Sequence, residues 1–196
     1  MHKILFPLIA LLILGSVLTT ADEVQSQVLR LHILANSDNA HDQQIKLAVR
    51  DRILAECGYL FADCRSAADA AAVAETNRNR ILSVAEKELK QQGCLHPVSV
   101  RVGESRFPTK QYGKVRLPQG RYTALEVRIG HADGRNWWCV MYPPLCLSGE
   151  VVAADAQTLT ALKESLSSSA YAMITEETEL TPRIRFKLAE ILGKWL

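Results

Sequence analysis

The densest run of apolar side chains in the chain lies at residues 136–147, where two adjacent tryptophans precede two cysteines that flank a Pro-Pro pair. Apolar and aromatic residues at both alternating positions predict a strand that is covered on both faces. Pro143 and Pro144 must end this strand, because proline has no N–H for a ladder hydrogen bond. Trp137 and Trp138 are neighbours, so in a strand they point to opposite faces.

Hydrophobic spacing predicts the other elements. Period-two alternation indicates strands at residues 25–35, 97–102 and 121–129. The loop 130–134 is predicted to join the last of these to the tryptophan strand as an antiparallel hairpin. Helical spacing predicts helices at residues 40–57, 67–92 and 155–166, and from Thr181 onward.

The apolar stripe of the first predicted helix sets which of its side chains face the core. Ile45, Val49 and Ile53 form the stripe, and Lys46 and Arg50 are expected to face water. The order of elements predicts an α+β fold, a largely antiparallel sheet with helices packed on one side. At 196 residues with 48% apolar content, residues 22–196 are expected to form a single domain.

Residues 4–18 carry no charge and follow a short basic start. This run is shorter than the ~20 apolar residues of a spanning helix and is typical of the hydrophobic region of a signal peptide. Small residues at 19–21 offer a cleavage site near Ala21. The segment 1–21 is therefore interpreted as a signal peptide, with an uncleaved membrane anchor as the alternative.

The net charge and the motifs limit the classes of function that the sequence supports. The formal net charge is +2 with no basic run, so nothing indicates nucleic-acid binding. His32, Asp38, His41 and Asp42 straddle a strand-to-helix turn, but helix capping and surface positions explain them better than a metal or catalytic site. No hydrolase or phosphate-binding motif is present. We therefore expect no catalytic residue, metal ligand or cofactor.

The cysteine spacing predicts one disulfide. Cys139 and Cys146 flank a segment that the prolines force to turn, which can bring their Cα atoms to the roughly 4.4–6.8 Å that a bridge requires. Cys57 and Cys64 can meet only if the chain turns near Gly58. Because the chain has five cysteines, at least one thiol is free or pairs between chains.

Three stretches together resemble one known family. They are residues 30–38 continuing through 51, residues 107–125, and residues 136–146 with the Trp-Trp-Cys and Pro-Pro-Leu-Cys motifs. Residues 185–187, Arg-Phe-Lys, also fit. In this order they resemble stage II sporulation protein R of endospore-forming bacteria, and the match covers most of residues 28–147.

The resemblance implies a signalling protein and not an enzyme. The family is exported from the forespore into the intermembrane space of the septum. There it activates a membrane-embedded aspartic protease, which processes the precursor of sigma-E. The expected partner is that protease, with no small-molecule substrate, and contact with a membrane only through residues 4–18 if they are not cleaved.

Two other functions stay open at this stage. An envelope cysteine hydrolase would use Cys139 or Cys146 as nucleophile, with His32, His96 or His131 as base. A protein that binds the cell wall would instead stack Trp137 or Trp138 on sugar.

The partner surface is predicted on the face that carries one of the two tryptophans. Trp137 is expected to share the inward face of Leu125, Val127 and Ile129, which leaves Trp138 toward the partner. The alternative is that both tryptophans are core, one on each side of a covered sheet. The predicted partner-binding residues are Trp138, Pro143, Pro144, Phe107, Lys110 and Tyr112.

Overall fold

The computed structural model describes residues 20–147, 150–151 and 156–175. The helices are α1 (described at 20–26), α2 (Ala40–Cys57), α3 (Ala67–Thr76), α4 (Arg78–Gln91), α5 (Ala156–Ser165) and α6 (Ser168–Thr175), with a 3-10 turn at Gly58–Phe61. The strands are β1 (Leu29–Leu34), β2 (Val98–Phe107), β3 (Lys110–Tyr112), β4 (Val115–Leu117), β5 (Gly120–Ile129), β6 (Asn136–Tyr142), β7 (Cys146–Leu147) and β8 (Glu150–Val151). Most of the predicted signal segment and the helix predicted from Thr181 lie outside the described residues. Within the described ranges, no helix is both long and apolar enough to cross a membrane.

The main sheet has four strands in the order β2-β5-β1-β6. β1 runs parallel to β5 and antiparallel to β6, while β2 and β5 are antiparallel. The predicted hairpin of β5 with β6 is wrong, because β1 lies between them. β1 is buried on both faces, so both of its edges need partners for their backbone N–H and C=O groups. The fold is α+β as predicted, but its sheet is mixed instead of largely antiparallel.

One face of the sheet, here the first face, packs against α2, α3 and α4. Its apolar cluster joins the side chains of Leu31, Ile33, Leu125, Val127 and Met141 to the helices. Trp137 packs against this cluster, on the face predicted for it. These side chains alternate along β1, β5 and β6, as a period-two pattern requires.

The opposite or second face is also covered, so the prediction that the helices pack on one side is wrong. A separate cluster there joins strand residues to α1, the β3–β4 hairpin, α5 and α6. Val24, Leu162 and Ile174 are members from three of these helices. Tyr122, Ala124 and Val140 supply the sheet side of the same cluster. The apolar pattern on both sides of β6 reflects this double cover.

Helix boundaries follow local side-chain chemistry. α2 has the predicted bounds, and the side chain of Asn39 caps it by accepting a hydrogen bond from the Asp42 N–H at 2.7 Å. The single helix predicted at 67–92 is interrupted at Asn77. The Asn77 side chain donates to the carbonyl of Val73 at 2.8 Å, which is the competition with the backbone that disfavours asparagine inside helices.

Two cationic residues of α2 are buried, whereas the sequence predicted that they face water. Lys46 is 4% exposed, and its Nζ donates to the carbonyl of Arg135 at 2.9 Å. Arg50 is 8% exposed, and its guanidinium lies 4.3 Å from the ring centroid of Trp137. Both long side chains cover apolar surface with their methylene groups while the charged ends find partners.

Candidate functional site

The second face holds a fully buried arginine. Arg30 lies in the central strand β1 with no exposed surface. Its guanidinium carbon is 4.3 Å from the ring centroid of Phe107 and 4.9 Å from that of Tyr122. Its Nε donates to the carbonyl of Cys139 at 2.9 Å, and its Nη2 donates to the hydroxyl of Tyr112 at 2.7 Å. The aromatic rings thus take the place that water would occupy around the cation.

Arg30 lacks a counter-ion within the described part of the chain. Its Nη1 is buried without a hydrogen-bond partner, and its charged neighbours include no carboxylate. Burial lowers the pKa of the guanidinium, although an arginine pKa starts so high that the group stays protonated. A buried positive charge therefore lies beneath the second face. The dielectric constant there is lower than in water, so the electrostatic field of this charge is screened less.

A polar network continues from Arg30 along the same face. His32, two residues on in β1, places Nε2 2.9 Å from Asn136 Oδ1 and Nδ1 3.1 Å from the hydroxyl of Ser105. Ser105 donates to Glu126 at 3.2 Å, and Arg101 forms two hydrogen bonds with that carboxylate, at 3.0 and 2.8 Å.

Protonation in this network follows from burial and partners. Burial lowers the pKa of His32 and outweighs its hydrogen bond to Asn136 and its contact with Glu126, so the neutral ring is favoured. Burial alone would raise the pKa of Glu126, but hydrogen bonds from Arg101 and Arg128 hold that pKa below its ordinary value. Glu126 is 3% exposed and ionised, and it fixes the two arginines on the sheet surface.

Trp138 joins the network to the β3–β4 hairpin. Its ring stacks on His32 with centroids 6.0 Å apart, and Lys110 Nζ lies 4.3 Å from the Trp138 ring centroid. Tyr112 donates to the carbonyl of Trp138 at 3.1 Å. Trp137 lies on the first face, where its ring contacts the guanidinium of Arg50. Each tryptophan is half-buried, so both contribute to packing and neither is wholly enclosed.

The structure divides the predicted partner-binding residues into two groups. Phe107 and Tyr112 are each 3% exposed and hold Arg30, and Pro143 is also buried. Trp138 and Lys110 are partly exposed and in contact, and Pro144 is exposed. A partner could reach the second group directly, whereas the first group supports it from below. Their role in binding stays a prediction.

The sheet separates Cys139 from His32, one of the histidines considered as its base. Cys139 pairs with Leu31 in the β1–β6 register and belongs to the first-face cluster, whereas His32 lies on the second face. The base and nucleophile of the proposed Cys139–His32 hydrolase are therefore on opposite sides of the sheet. Cys57, Cys64 and Cys94 are free thiols. The side chain of Cys146 is outside the description, so the bridge to Cys139 stays a prediction.

The turn that was considered as a metal or acid–base cluster is a structural junction. Asp42 is buried and accepts hydrogen bonds from Asn36 Nδ2 at 2.8 Å and Ser37 Oγ at 2.6 Å, and these bonds lower its pKa. Asn39, not Asp38, caps α2, and His41 is exposed. Asp38 instead accepts a hydrogen bond from the Arg135 N–H at 2.6 Å. Among the described side chains, no group of three acidic, histidine or cysteine residues could hold a metal ion.

The same junction explains two glycines of the loop before β6. Gly130 has φ +59°, and a Cβ there would clash with Asn36 Oδ1. A Cβ on Gly134 would clash with the Ser37 carbonyl oxygen. The Asn-Ser pair after β1 and the glycines after β5 therefore fit against each other, although they are distant in sequence.

Sequence reasoning missed Arg30, Arg101 and Glu126 as members of this site. One signal could have found them. A strand that reads Leu-Arg-Leu-His-Ile-Leu is too apolar for an edge, so its arginine and histidine need internal partners. Nothing in the spacing alone indicates that Glu126 and Arg101, on two other strands, supply them.

Comparison with known proteins identifies the same family as the sequence motifs. The family model for stage II sporulation protein R matches residues 25–152. Stage II sporulation protein R of Bacillus subtilis (strain 168) is 34% identical over 180 residues, which cover 85% of this chain and 80% of that protein. No solved structure matches the chain. The chain therefore belongs to the stage II sporulation protein R family.

Proposed function

We propose that this protein is an exported signal of sporulation that binds and activates a membrane-embedded aspartic protease, which then processes the precursor of sigma-E. Membership of the family gives the sporulation role. The resemblance in the three sequence stretches supplies the partner and the reaction. In this proposal the protein acts by binding and supplies no catalytic group of its own.

The observation that carries the proposal is the Trp138–Lys110 pair. The ring and the ammonium group are in contact and partly exposed. Tyr112, Phe107 and His32 hold the pair from beneath, so it needs little ordering when a partner binds. Tryptophan is the side chain most enriched among residues that dominate binding energy at interfaces.

The proposed location is the intermembrane space of the septum, reached through residues 1–21. Cleavage near Ala21 would fall within α1, where Val24 is fully buried in the second-face cluster. Glu23 accepts a hydrogen bond from Ser169 at 2.7 Å, and Gln27 accepts one from the Ser167 N–H at 2.9 Å. These contacts would keep the new N-terminus attached to the domain. N-terminal sequencing of the exported protein tests the cleavage, and a start at Met1 in the membrane fraction would indicate an anchor.

Co-expression with the protease and the sigma-E precursor in a heterologous host tests the function. We expect the wild-type chain to cause processing and Trp138→Ala to abolish it while the far-UV spectrum is retained, because loss of an aromatic anchor costs about 2 kcal/mol or more of binding. Tyr59→Ala is the matched control, since Tyr59 is 58% exposed and also packs on an arginine, Arg80. Equal activity of the two variants would contradict the proposed surface, and no processing with the wild type would contradict the function.

A disulfide between Cys139 and Cys146 is part of the proposal. The Leu145 N–H donates to the Val140 carbonyl at 3.3 Å, so the chain reverses between the two cysteines. A bridge over so short a loop should add roughly 2–3 kcal/mol by the chain-entropy estimate. Mass mapping of non-reduced peptides from the exported protein decides it, and two alkylated thiols at these positions would contradict it. Processing that survives Cys139→Ser with Cys146→Ser would argue further against the hydrolase.

A further inference from the structure

The polar network of the second face ends in an exposed surface, here called the basic patch, which consists of Arg101, Arg128, Trp138 and Lys110. The side chains of Arg101 and Arg128 are 53% and 44% exposed. Both bind the buried Glu126, which contacts His32 at 3.5 Å, and His32 stacks on Trp138. Lys110 completes the series through its contact with the Trp138 ring. These contacts connect residues of β2, β5, β6 and β3 through the buried Glu126 and His32.

The charges in this connected set do not balance. Arg101, Arg128 and Lys110 are cationic at its surface and Arg30 is cationic beneath it, against the single carboxylate of Glu126. Four positive charges and one negative charge leave a formal +3. By comparison, the whole chain has a formal charge of +2, so this connected set carries a local excess of positive charge. Such local asymmetry selects and steers charged partners.

Several details favour a carboxylate-bearing partner. Guanidinium groups that are held on a flat surface by a buried carboxylate still have free donor positions, and their planar geometry matches carboxylates well. The buried charge of Arg30 adds attraction that solvent screens weakly. The half-buried ring of Trp138, which contacts Lys110, adds an apolar contact to this set. A cationic partner would be repelled here, and a purely apolar partner would gain only the contact with Trp138.

We propose that the basic patch binds an acidic peptide segment of the partner protein, with the segment's carboxylates on Arg101, Arg128 and Lys110 and an apolar side chain on Trp138. The inference rests on the proposed function for the identity of the partner, the protease. The chemistry that it assigns to the surface can be tested separately.

The test compares two charge reversals in the full-length chain. Lys110→Glu changes the patch, and Lys87→Glu makes the same change in net charge on the exposed side of α4, beyond the first face. Association with the full-length protease in nanodiscs is measured at about 50 mM salt, where charges are weakly screened, and at about 500 mM salt, where they are strongly screened. We expect Lys110→Glu to slow association about tenfold at low salt and Lys87→Glu to change it less than about twofold. A fluorescent deca-glutamate peptide is the second probe, with deca-lysine as its control.

The outcomes separate the two proposals. A selective loss with Lys110→Glu that disappears at high salt supports the acidic-segment inference, and equal effects of the two reversals overturn it while leaving the proposed function intact. If the wild type does not bind the protease, the proposed function fails and the peptide decides the inference. Deca-glutamate binding that Lys110→Glu removes supports it, and no binding, or equal binding of deca-lysine, overturns it. Arg101→Gln, which keeps a donor toward Glu126, should weaken deca-glutamate binding in the same direction.

Discussion

The two faces of the sheet are both buried, but different forces hold them. On the first face, Leu31, Ile33 and Val127 pack against three helices in a cluster of apolar side chains. On the second face, the same strands place Arg30, His32 and Glu126 in a network of directed hydrogen bonds and ring contacts. β1 therefore contributes to an apolar core on the first face, and on the second face to a core in which a polar network is added to an apolar cluster.

This difference determines which substitutions each face tolerates. Apolar burial depends mainly on the area removed from water, so side chains of similar volume replace each other at small cost. A buried cation needs particular donors, acceptors and rings, and its neighbours lose their partners when it changes. The second face should therefore be the more sensitive to chemical identity, and it is also the face that carries the proposed partner surface.

The largest expected effect is at adjacent positions of β1. Arg30→Ala should lower the free energy of unfolding by about 3–5 kcal/mol, because it leaves a cavity and removes the donor from the Cys139 carbonyl. Leu31→Ala should cost about 2–5 kcal/mol through its cavity alone. Urea unfolding of both variants measures this. An Arg30→Ala loss below 1 kcal/mol (roughly the value of a single hydrogen bond) would mean that Arg30 is not part of the core.

The two tryptophans of the edge strand β6 allow the same comparison, because Trp137 lies on the first face and Trp138 on the second. Trp137→Ala should cost roughly 2–4 kcal/mol of stability, reduced from the full value because the ring is half-buried. Trp138→Ala should cost roughly 1–2 kcal/mol, since it loses its contacts with His32 and Lys110. Thermal unfolding of the single variants gives both values. A Trp138 loss equal to that of Trp137 would favour the alternative that both are core.

Conservative replacements sharpen the comparison. Arg30→Lys should cost about 1–3 kcal/mol, because an ammonium group cannot reach both the Cys139 carbonyl and the Tyr112 hydroxyl while lying flat on the rings. Leu31→Met preserves volume and should cost less than about 1.5 kcal/mol. Denaturant midpoints of the two proteins test the order. If the methionine variant is the less stable of the two, the assignment of forces to the faces is wrong.

The smallest expected effect is a pH dependence confined to the second face. The pKa of His32 is lowered in the folded protein from 6.5 by burial. The unfolded chain then binds more protons as pH falls below that value, so stability that is present at pH 7 decreases toward pH 5. His32→Gln should reduce this slope in urea unfolding measured between pH 7 and pH 5, and an unchanged slope would contradict this role of His32. Asp42 and Glu126 have lowered pKa values and lose their contribution only at still lower pH.

Much of the local structure could be predicted from local signals. The bounds of α2 follow from its cap and stripe, and β6 ends at Tyr142 because Pro143 follows it. The pairing of β1 between β5 and β6 could not be predicted in this way. Hydrophobic alternation tells which face a side chain occupies but contains no information on which strand is its neighbour, and proximity in sequence favoured the wrong hairpin.

The sequence predicted only part of the site, because alternation does not show which residues of different strands meet. The aromatic residues Phe107 and Tyr112 were identified with Trp138, and the structure brings all three together. Their burial was not foreseen, because a loop with two aromatic side chains is equally compatible with a binding surface and with a cover for a buried charge. Only the position of Arg30 beneath them distinguishes the two cases.

The central position of β1 has a consequence for when the chain can fold. Arg30 finds its carbonyl acceptor at Cys139, 109 residues further along, and both neighbours of β1 come from the second half of the sheet sequence. Such distant contacts make folding slow, since long loops must close before the contacts form. A chain that emerges from its N-terminus, at the ribosome or through a membrane, therefore cannot pair both edges of β1 until Tyr142 has followed.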